Sequence, residues 1–266
     1  MTGLLLRHHA PDADGLVHRV TPETAGWTYV GFELWRLKPG QTVAAATGER
    51  EACLVIVGGK ADIAAGGRSW SSLGDRGGPF EGKSPTSVYV PWHDRFEVTA
   101  VTDLELAVCR APGGDGFPVR LIPAEAVTVT SRGKGSNVRH VRDILPEGAP
   151  AHALLVVEVI TPGGNWSSYP SHKHDQDNLP EESLLEETYY HRIDPPQGFA
   201  FQRVYTDDRS LDVAMAVEDG DVTLVPRGYH PCAAAHGYDL YYLNVMAGPK
   251  RTWRFNTEPA HRWLLG

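Results

Sequence analysis

Three histidines and one glutamate fall in an order that can close around one divalent metal. His172 and His174 lie in Ser171-His172-Lys173-His174-Asp175, followed by Glu187 and then His230. Two residues apart on a strand, the imidazoles of His172 and His174 project from one face. Glu187 opens the strand-like run Glu187-Thr188-Tyr189-Tyr190-His191-Arg192-Ile193, and His230 follows the turn-like Pro226-Arg227-Gly228-Tyr229. An HxH pair alone is weak, because surface histidines often fall two apart by chance. Four ligands in order, each beside a strand, are a stronger signal. Imidazole with carboxylate suits Zn, Mn, Fe, Ni or Co, and spacing does not choose among them. One divalent metal ion held by His172, His174, Glu187 and His230 is the expected cofactor.

Strands must position these ligands. Glycine (28) and proline (20) are abundant, which favours many turns. Helical periodicity is scarce. Short β-branched and aromatic runs bounded by Gly, Pro and Asp dominate. They cover 28–32, 53–57, 69–71, 87–90, 95–99 and 104–109, then 154–160, 188–193, 199–205, 212–217, 221–225 and 240–246. Such spacing predicts an all-β sandwich or barrel. The segment 138–145 is the best helix candidate.

The two halves look like divergent copies. Glu51-Ala52-Cys53-Leu54-Val55 resembles the strand that Glu187 starts, and Val88-Tyr89-Val90-Pro91-Trp92-His93 resembles Leu224 to His230. Leu104-Glu105-Leu106-Ala107-Val108 resembles Asp239 to Leu243. The first half lacks the HxH pair, since 42–48 contains no histidine, and His93 without partners reads as structural. The expectation is a liganded barrel and a degenerate one that serves for packing, with domains at 1–125 and 126–266.

Composition excludes several classes. A formal net charge of −8 argues against non-specific nucleic-acid binding, and no DNA-binding motif appears. The apolar run near the N-terminus, Leu4-Leu5-Leu6, is too short for a signal peptide, and no run approaches a membrane span. No membrane partner and a cytoplasmic location are expected. The three cysteines are far apart and form no CxxC, so buried thiols in a reducing compartment are the reading.

Two such halves resemble a bicupin, a double-stranded β-helix (jelly-roll) barrel repeated in tandem. Gly220, Pro226, Gly228 and His230 fit the second cupin motif with one residue fewer before the histidine. The first motif departs more: seven residues separate Gly164 from His172, and the gap from His174 to Glu187 is long. Glu181, Glu182 and Glu186 compete as the acidic ligand, and Glu187 is preferred because Thr188-Tyr189-Tyr190 follows it as a strand. The intervening 175–185 then reads as an acidic loop over the site mouth. A closer match lies in Tyr169 to Asp175, Glu187 to His191, Gly198 to Tyr205, Val225 to Pro231 and Tyr241 to Gly248. These strings resemble the family that holds 5-deoxy-glucuronate isomerase and 4-deoxy-threo-hexosulose-uronate ketol-isomerase. The resemblance implies an aldose–ketose isomerisation in myo-inositol catabolism, converting 5-deoxy-glucuronate to 2-deoxy-5-keto-gluconate. It leaves as alternatives the ketol-isomerase, a cupin dioxygenase and a non-catalytic sugar-binding bicupin. Cupin barrels commonly bury edge strands against another copy, so a homo-oligomer is expected.

Such an isomerase moves a hydrogen between C1 and C2, either through an enediol that needs a base or by a 1,2-hydride shift that needs none. A deoxy-uronate substrate requires a cation, and alternation puts Phe201, Arg203 and Tyr205 on one strand face. If that face is interior, Arg203 holds the substrate carboxylate. Gln202 and Tyr189 are the other substrate-binding candidates, Tyr189 sharing the face of Glu187. Tyr190, Tyr241 and Asp175 are the candidate proton-handling, catalytic residues. Lys173 points away from the ligand face and reads as a packing or solvated residue.

Overall fold

The computed structural model describes residues 3–265. Strands dominate it, and most of them form two pairs of sheets, with two further two-stranded sheets beside the second pair. The larger sheet of the first half runs Arg120–Ile122, Ser87–Val90, Arg50–Gly58, Leu104–Pro112, Gly31–Leu37, Leu16–Val20 in spatial order. Its smaller sheet holds Thr42–Ala46, Arg95–Ala100, Ala61–Ala65 and Arg68–Leu73. The second half repeats the plan. Val222–Val225, Glu186–Asp194, Asp239–Ala247, Leu155–Thr161, Arg139–Leu145 and Thr128–Arg132 make the larger sheet. Trp166–Ser167, Cys232–Ala234, Phe199–Tyr205 and Asp212–Glu218 make the smaller one. The first strand, Leu5–Leu6, joins the larger sheet of the second half, Leu5 opposite Thr223. Among the described residues no helix is long and apolar enough to cross a membrane.

The predicted strands are present, most with ends displaced by a residue or two; the strand expected at 28–32 begins only at Gly31. The helix expected at 138–145 is instead the strand Arg139–Leu145. Pairing decides it: His140 to Asp143 face Ile160 to Val157 on one side and Ser131 to Thr128 on the other. Those ladders, with Val141 and Ile144 buried on opposite faces, override a weak local preference.

Three apolar cores follow from the layers. Leu54, Val88, Phe96, Val98 and Leu106 fill the space inside the first sheet pair. Val157, Tyr189, Val204, Val217 and Tyr242 do so in the second. Phe32, Val55, Tyr89, Val156, Tyr190, Tyr241 and Leu243 lie where the two large sheets pack on one another. The central strands are buried on both faces, which is why Arg50–Gly58 reads as a continuous apolar run rather than an alternation.

Carboxylates cross that seam. Glu51 accepts the backbone N–H groups of His152, Ala153 and Leu154 at 2.8, 2.8 and 2.6 Å, together with the Tyr89 hydroxyl. Glu186 does the reverse, accepting from Thr28, Tyr29 and Val30 at 2.6, 2.6 and 3.0 Å. Register confirms that the two are counterparts: Glu51 faces Ala111 and Glu186 faces Ala247, while Ala52 faces Val90 and Glu187 faces Val225. Matching Glu51 to Glu187 in the sequence was therefore off by one position, and Ala52 stands where the second half has Glu187.

Glu51→Ala leaves the buried amides of Ala153 and Leu154 and the buried Tyr89 hydroxyl without acceptors, each costing about 1–3 kcal/mol. The variant is expected to lose at least about 3 kcal/mol of unfolding free energy, read from its guanidinium denaturation midpoint. A loss below about 1 kcal/mol would show that the amides find other partners.

Candidate metal and substrate site

The Glu186–Asp194 strand alternates between two environments. Glu187, Tyr189 and His191 face the interior of the second sheet pair, whereas Tyr190 faces the seam. Nitrogen and oxygen atoms of His174, Glu187 and His230 lie within 4.8 Å of one another, all buried. Glu187 Oε2 is 3.2 Å from His174 Nε2 and 3.3 Å from His230 Nε2. The remaining ring nitrogens are anchored on backbone: His174 Nδ1 donates to the Leu185 carbonyl at 3.1 Å and His230 Nδ1 to that of Gly228 at 2.8 Å. This outer anchoring turns each Nε2 toward the shared carboxylate. His172 stands beside the cluster with the Pro170 carbonyl as backbone partner, its ring 5.0 Å from that of His230 and tilted against that of Phe255 at 4.5 Å.

This donor set fits a divalent cation. His230 Nε2 is buried and has no hydrogen-bond partner among the described residues. Burial pulls His172 and His230 down to about 3, so both imidazoles are neutral donors at pH 7. Burial is the largest influence on His174 and opposes its charged form, but the hydrogen bond and charge of Glu187 together with backbone hydrogen bonds outweigh it and raise the pKa.

A cavity of about 90 Å³ opens beside the cluster, lined by His172, Glu187, Tyr189, Tyr242 and Asn244 among others. Tyr189 donates or accepts at Ser168 Oγ, 2.9 Å away, and Tyr242 pairs with Ser167. Tyr189 thus sits where the sequence placed it. Gln202 is buried too, but its Oε1 meets His191 Nε2 at 3.2 Å and it does not line the cavity.

Four expectations are corrected. Arg203 points outward, paired with Asp212 at 2.7 Å on an exposed strand face; small or polar Ala200, Gln202 and Val204 face in, leaving Phe201 exposed. Tyr190 lies in the seam and donates to Glu105 at 2.7 Å. Tyr241 likewise lies there, donating to Glu158 at 3.1 Å, because its neighbour Tyr242 takes the inward position. Asp175 is bound on both oxygens: Lys173 Nζ is 2.6 Å from Oδ1, and Gly228 N–H donates to Oδ2 at 2.9 Å. It is a positioning residue for the turn that carries His230. Gly228 has φ +90°, and a Cβ there would meet the Tyr205 carbonyl at 2.5 Å, so the turn needs glycine.

The segment 175–185 folds as a small hairpin tied to Lys173 through Glu182 at 3.0 Å, and lines neither cavity at the site. The mouth is built instead by Phe255, Thr257, Leu264 and Leu265 and by the turn from Gly133 to Arg139. The Asn256–Thr257 strand pairs with His172–Lys173, placing the C-terminal segment over the ligands. Its aromatic Trp253 and Phe255 are the sequence signal for that role.

The fold is all-β and cupin-type. The oxalate decarboxylase of Lactobacillus farciminis overlays with a TM-score of 0.64 at 13% identity, over 97% of this chain and 89% of that one. More specifically, the chain belongs to the KduI/IolB family, whose model matches residues 4–264. It is 57% identical over 265 residues to a Geobacillus thermodenitrificans protein named 5-deoxy-glucuronate isomerase, covering 100% of this chain and 97% of that protein. A Bacillus subtilis protein of the same name is 49% identical over 259 residues, covering 97% and 96%. The crystal structure of an IolB-like protein from Salmonella typhimurium LT2 gives a TM-score of 0.97 at 52% identity, covering both chains fully.

Below this site His191 is fully buried, and burial drives its pKa from 6.5 to about 4. Between those pH values the unfolded chain takes up a proton that the folded chain refuses, so stability falls as pH falls. His191 alone contributes a loss of about 2 kcal/mol between pH 7 and pH 5. Replacing it by glutamine is expected to remove that much from the difference between denaturation at pH 7 and pH 5. An unchanged difference would mean that His191 is protonated when folded.

Proposed function

We propose that this chain is a 5-deoxy-glucuronate isomerase, a metal-dependent aldose–ketose isomerase producing 2-deoxy-5-keto-gluconate. The observation that carries the reading is the buried His174–Glu187–His230 cluster, with His172 beside it, next to a cavity of mixed polar and apolar lining. It occurs in a chain similar over its full length to proteins of that name. The two sheet pairs are read as two cupin barrels, the second holding one divalent cation through His172, His174, Glu187 and His230. Of the described residues, 3–125 and 126–265 make up these barrels, except that Leu5–Leu6 crosses to the second.

A cation bound there supplies positive charge to the oxygens on C1 and C2 of the open-chain sugar. The chain's own groups do the rest. Neutral His172 and His230 keep their lone pairs free for ligation. Burial, reinforced by Glu187, raises Tyr189 well above its ordinary range, and burial raises Tyr242 likewise. Both hydroxyls therefore keep their protons at neutral pH and serve as donors to sugar oxygens. Val141, Val157, Val159, Trp253 and Phe255 give the cavity apolar walls that limit water. Exposed Phe199, Phe201 and Trp166 on the outer small sheet support assembly with further copies.

Stripping metal with a chelator is expected to abolish conversion of 5-deoxy-glucuronate, followed by NMR in deuterated water, and re-addition of a divalent metal to restore it. His230→Ala and His172→Ala should each bind less than one metal per chain and lose more than about 100-fold in kcat/KM. Full turnover by metal-free protein would sink the reading. Full metal content in His172→Ala would reduce the ligand set to three.

A further inference from the structure

Two cavities meet at the candidate site, the inner one of about 90 Å³ and an outer one of about 310 Å³. Arg139, His172 and Phe255 line both, so the Arg139 side chain stands at their junction. Its only hydrogen bond among the described residues runs from Nη1 to the Asn137 carbonyl at 3.1 Å. No acidic group lies within ion-pair distance of it among the described residues, unlike its neighbours. Arg132, directly opposite on the next strand, has Asp143 at 3.4 Å, and Arg142 has Glu158 at 2.9 Å. Burial depresses the pKa of Arg139, with the hydroxyls of Tyr242 and Tyr189 only partly opposing it. A half-buried guanidinium with most of its fork unused is costly unless an anion completes it.

The backbone makes room for this arrangement. Gly133 has φ +88°, and a Cβ there would lie 2.0 Å from the Asn137 carbonyl and 2.8 Å from Arg139 Nη1. Lys134, in the same turn, lines the outer cavity. In a chain of net charge −8, these two side chains give the site mouth local positive charge.

We infer that Arg139 is the substrate-carboxylate residue, its guanidinium holding the acid group of the sugar while the opposite end reacts. This rests on the isomerase reading. An open-chain six-carbon sugar acid reacts at C1 and C2 and carries its carboxylate at C6. With C1 and C2 at the His–Glu cluster, the anion points toward the outer cavity, where Arg139 stands. The inference replaces Arg203, which Asp212 already occupies.

The test is calorimetric binding of D-glucuronate and of D-glucose to the metal-loaded protein, its Arg139→Met form and its Arg139→Lys form. Wild type is expected to prefer glucuronate. Arg139→Met should weaken glucuronate about 10- to 100-fold, the value of a charge-assisted pair, with glucose binding and metal content unchanged. Arg139→Lys should fall between the two, because a point charge replaces a fork. Equal binding of both sugars by wild type, unchanged glucuronate affinity in Arg139→Met, or a parallel loss of both sugars would overturn the assignment. If Arg139→Met does not hold its metal, Arg139→Lys decides, and unchanged glucuronate affinity there overturns it. Because binding is read without turnover, failure to convert 5-deoxy-glucuronate would count against the isomerase reading alone.

Discussion

The architecture depends on how carboxylates are buried where the two large sheets meet. A carboxylate out of water needs several donors at once, and few local groups supply them. Glu51 and Glu186 each take three successive backbone amides from the opposite half. Glu158 is gripped by Arg76 through both oxygens at 2.8 Å and by Arg142 at 2.9 Å. Glu105 is held below its ordinary pKa although burial works against it, because Arg192 and Arg36 flank it. Every one of these contacts except Arg142–Glu158 and Arg36–Glu105 joins the two halves. Each half therefore completes the other's polar groups, and one half alone would leave charges and amides unsatisfied.

That seam reaches the site through a single residue step. Glu186 is clamped by the loop of residues 28–30, and Glu187 follows it facing the other way. Fixing the first fixes the strand end from which the second projects. The same strand sends Tyr189 into the cavity and Tyr190 into the seam. A period of two thus divides one segment between holding the halves together and lining the site.

Much of this was legible in the sequence, because it depends on local order. The spacing of His172 and His174, the strand opening at Glu187 and the Pro-Arg-Gly-Tyr turn before His230 are short-range patterns, and the structure brings three of the four predicted ligands into one cluster with the fourth alongside. Tyr189 was placed on the correct face by parity with Glu187. What was not legible is which face of a strand is inside when both faces carry large or polar residues. Phe201, Arg203 and Tyr205 do share a face, but it points away from the cavity, with Phe201 and Arg203 exposed and Tyr205 buried beneath Glu258. Tyr190 and Tyr241 are buried, but in the seam rather than the cavity. The one-residue slip in matching Glu51 has the same origin, since aligned acidic residues hide opposite orientations. Arg139 lay beyond reach for a different reason: its segment looked weakly helical, and only pairing with Leu155–Thr161 sets it beside the site.

The two halves differ in what their interiors contain, and the difference has an energetic logic. The first half fills its interior with Leu54, Ile56, Val88, Val90, Phe96, Val98 and Leu106, and puts Ala52 where the second has Glu187. His93, at the end of the turn matching that of His230, stays on the surface near Glu49 at 3.5 Å. Such an interior packs without polar groups to satisfy and contributes stability outright. The second half keeps four buried histidines (His172, His174, His191 and His230), the buried Glu187 and a cavity. It leaves polar atoms of His191, Gln202, His230 and Asn244 without partners among the described residues. Each such group costs free energy in the absence of a ligand. Joining a chemically specialised half to an apolar one through a seam that both require lets the first offset what the second gives up to hold its site open.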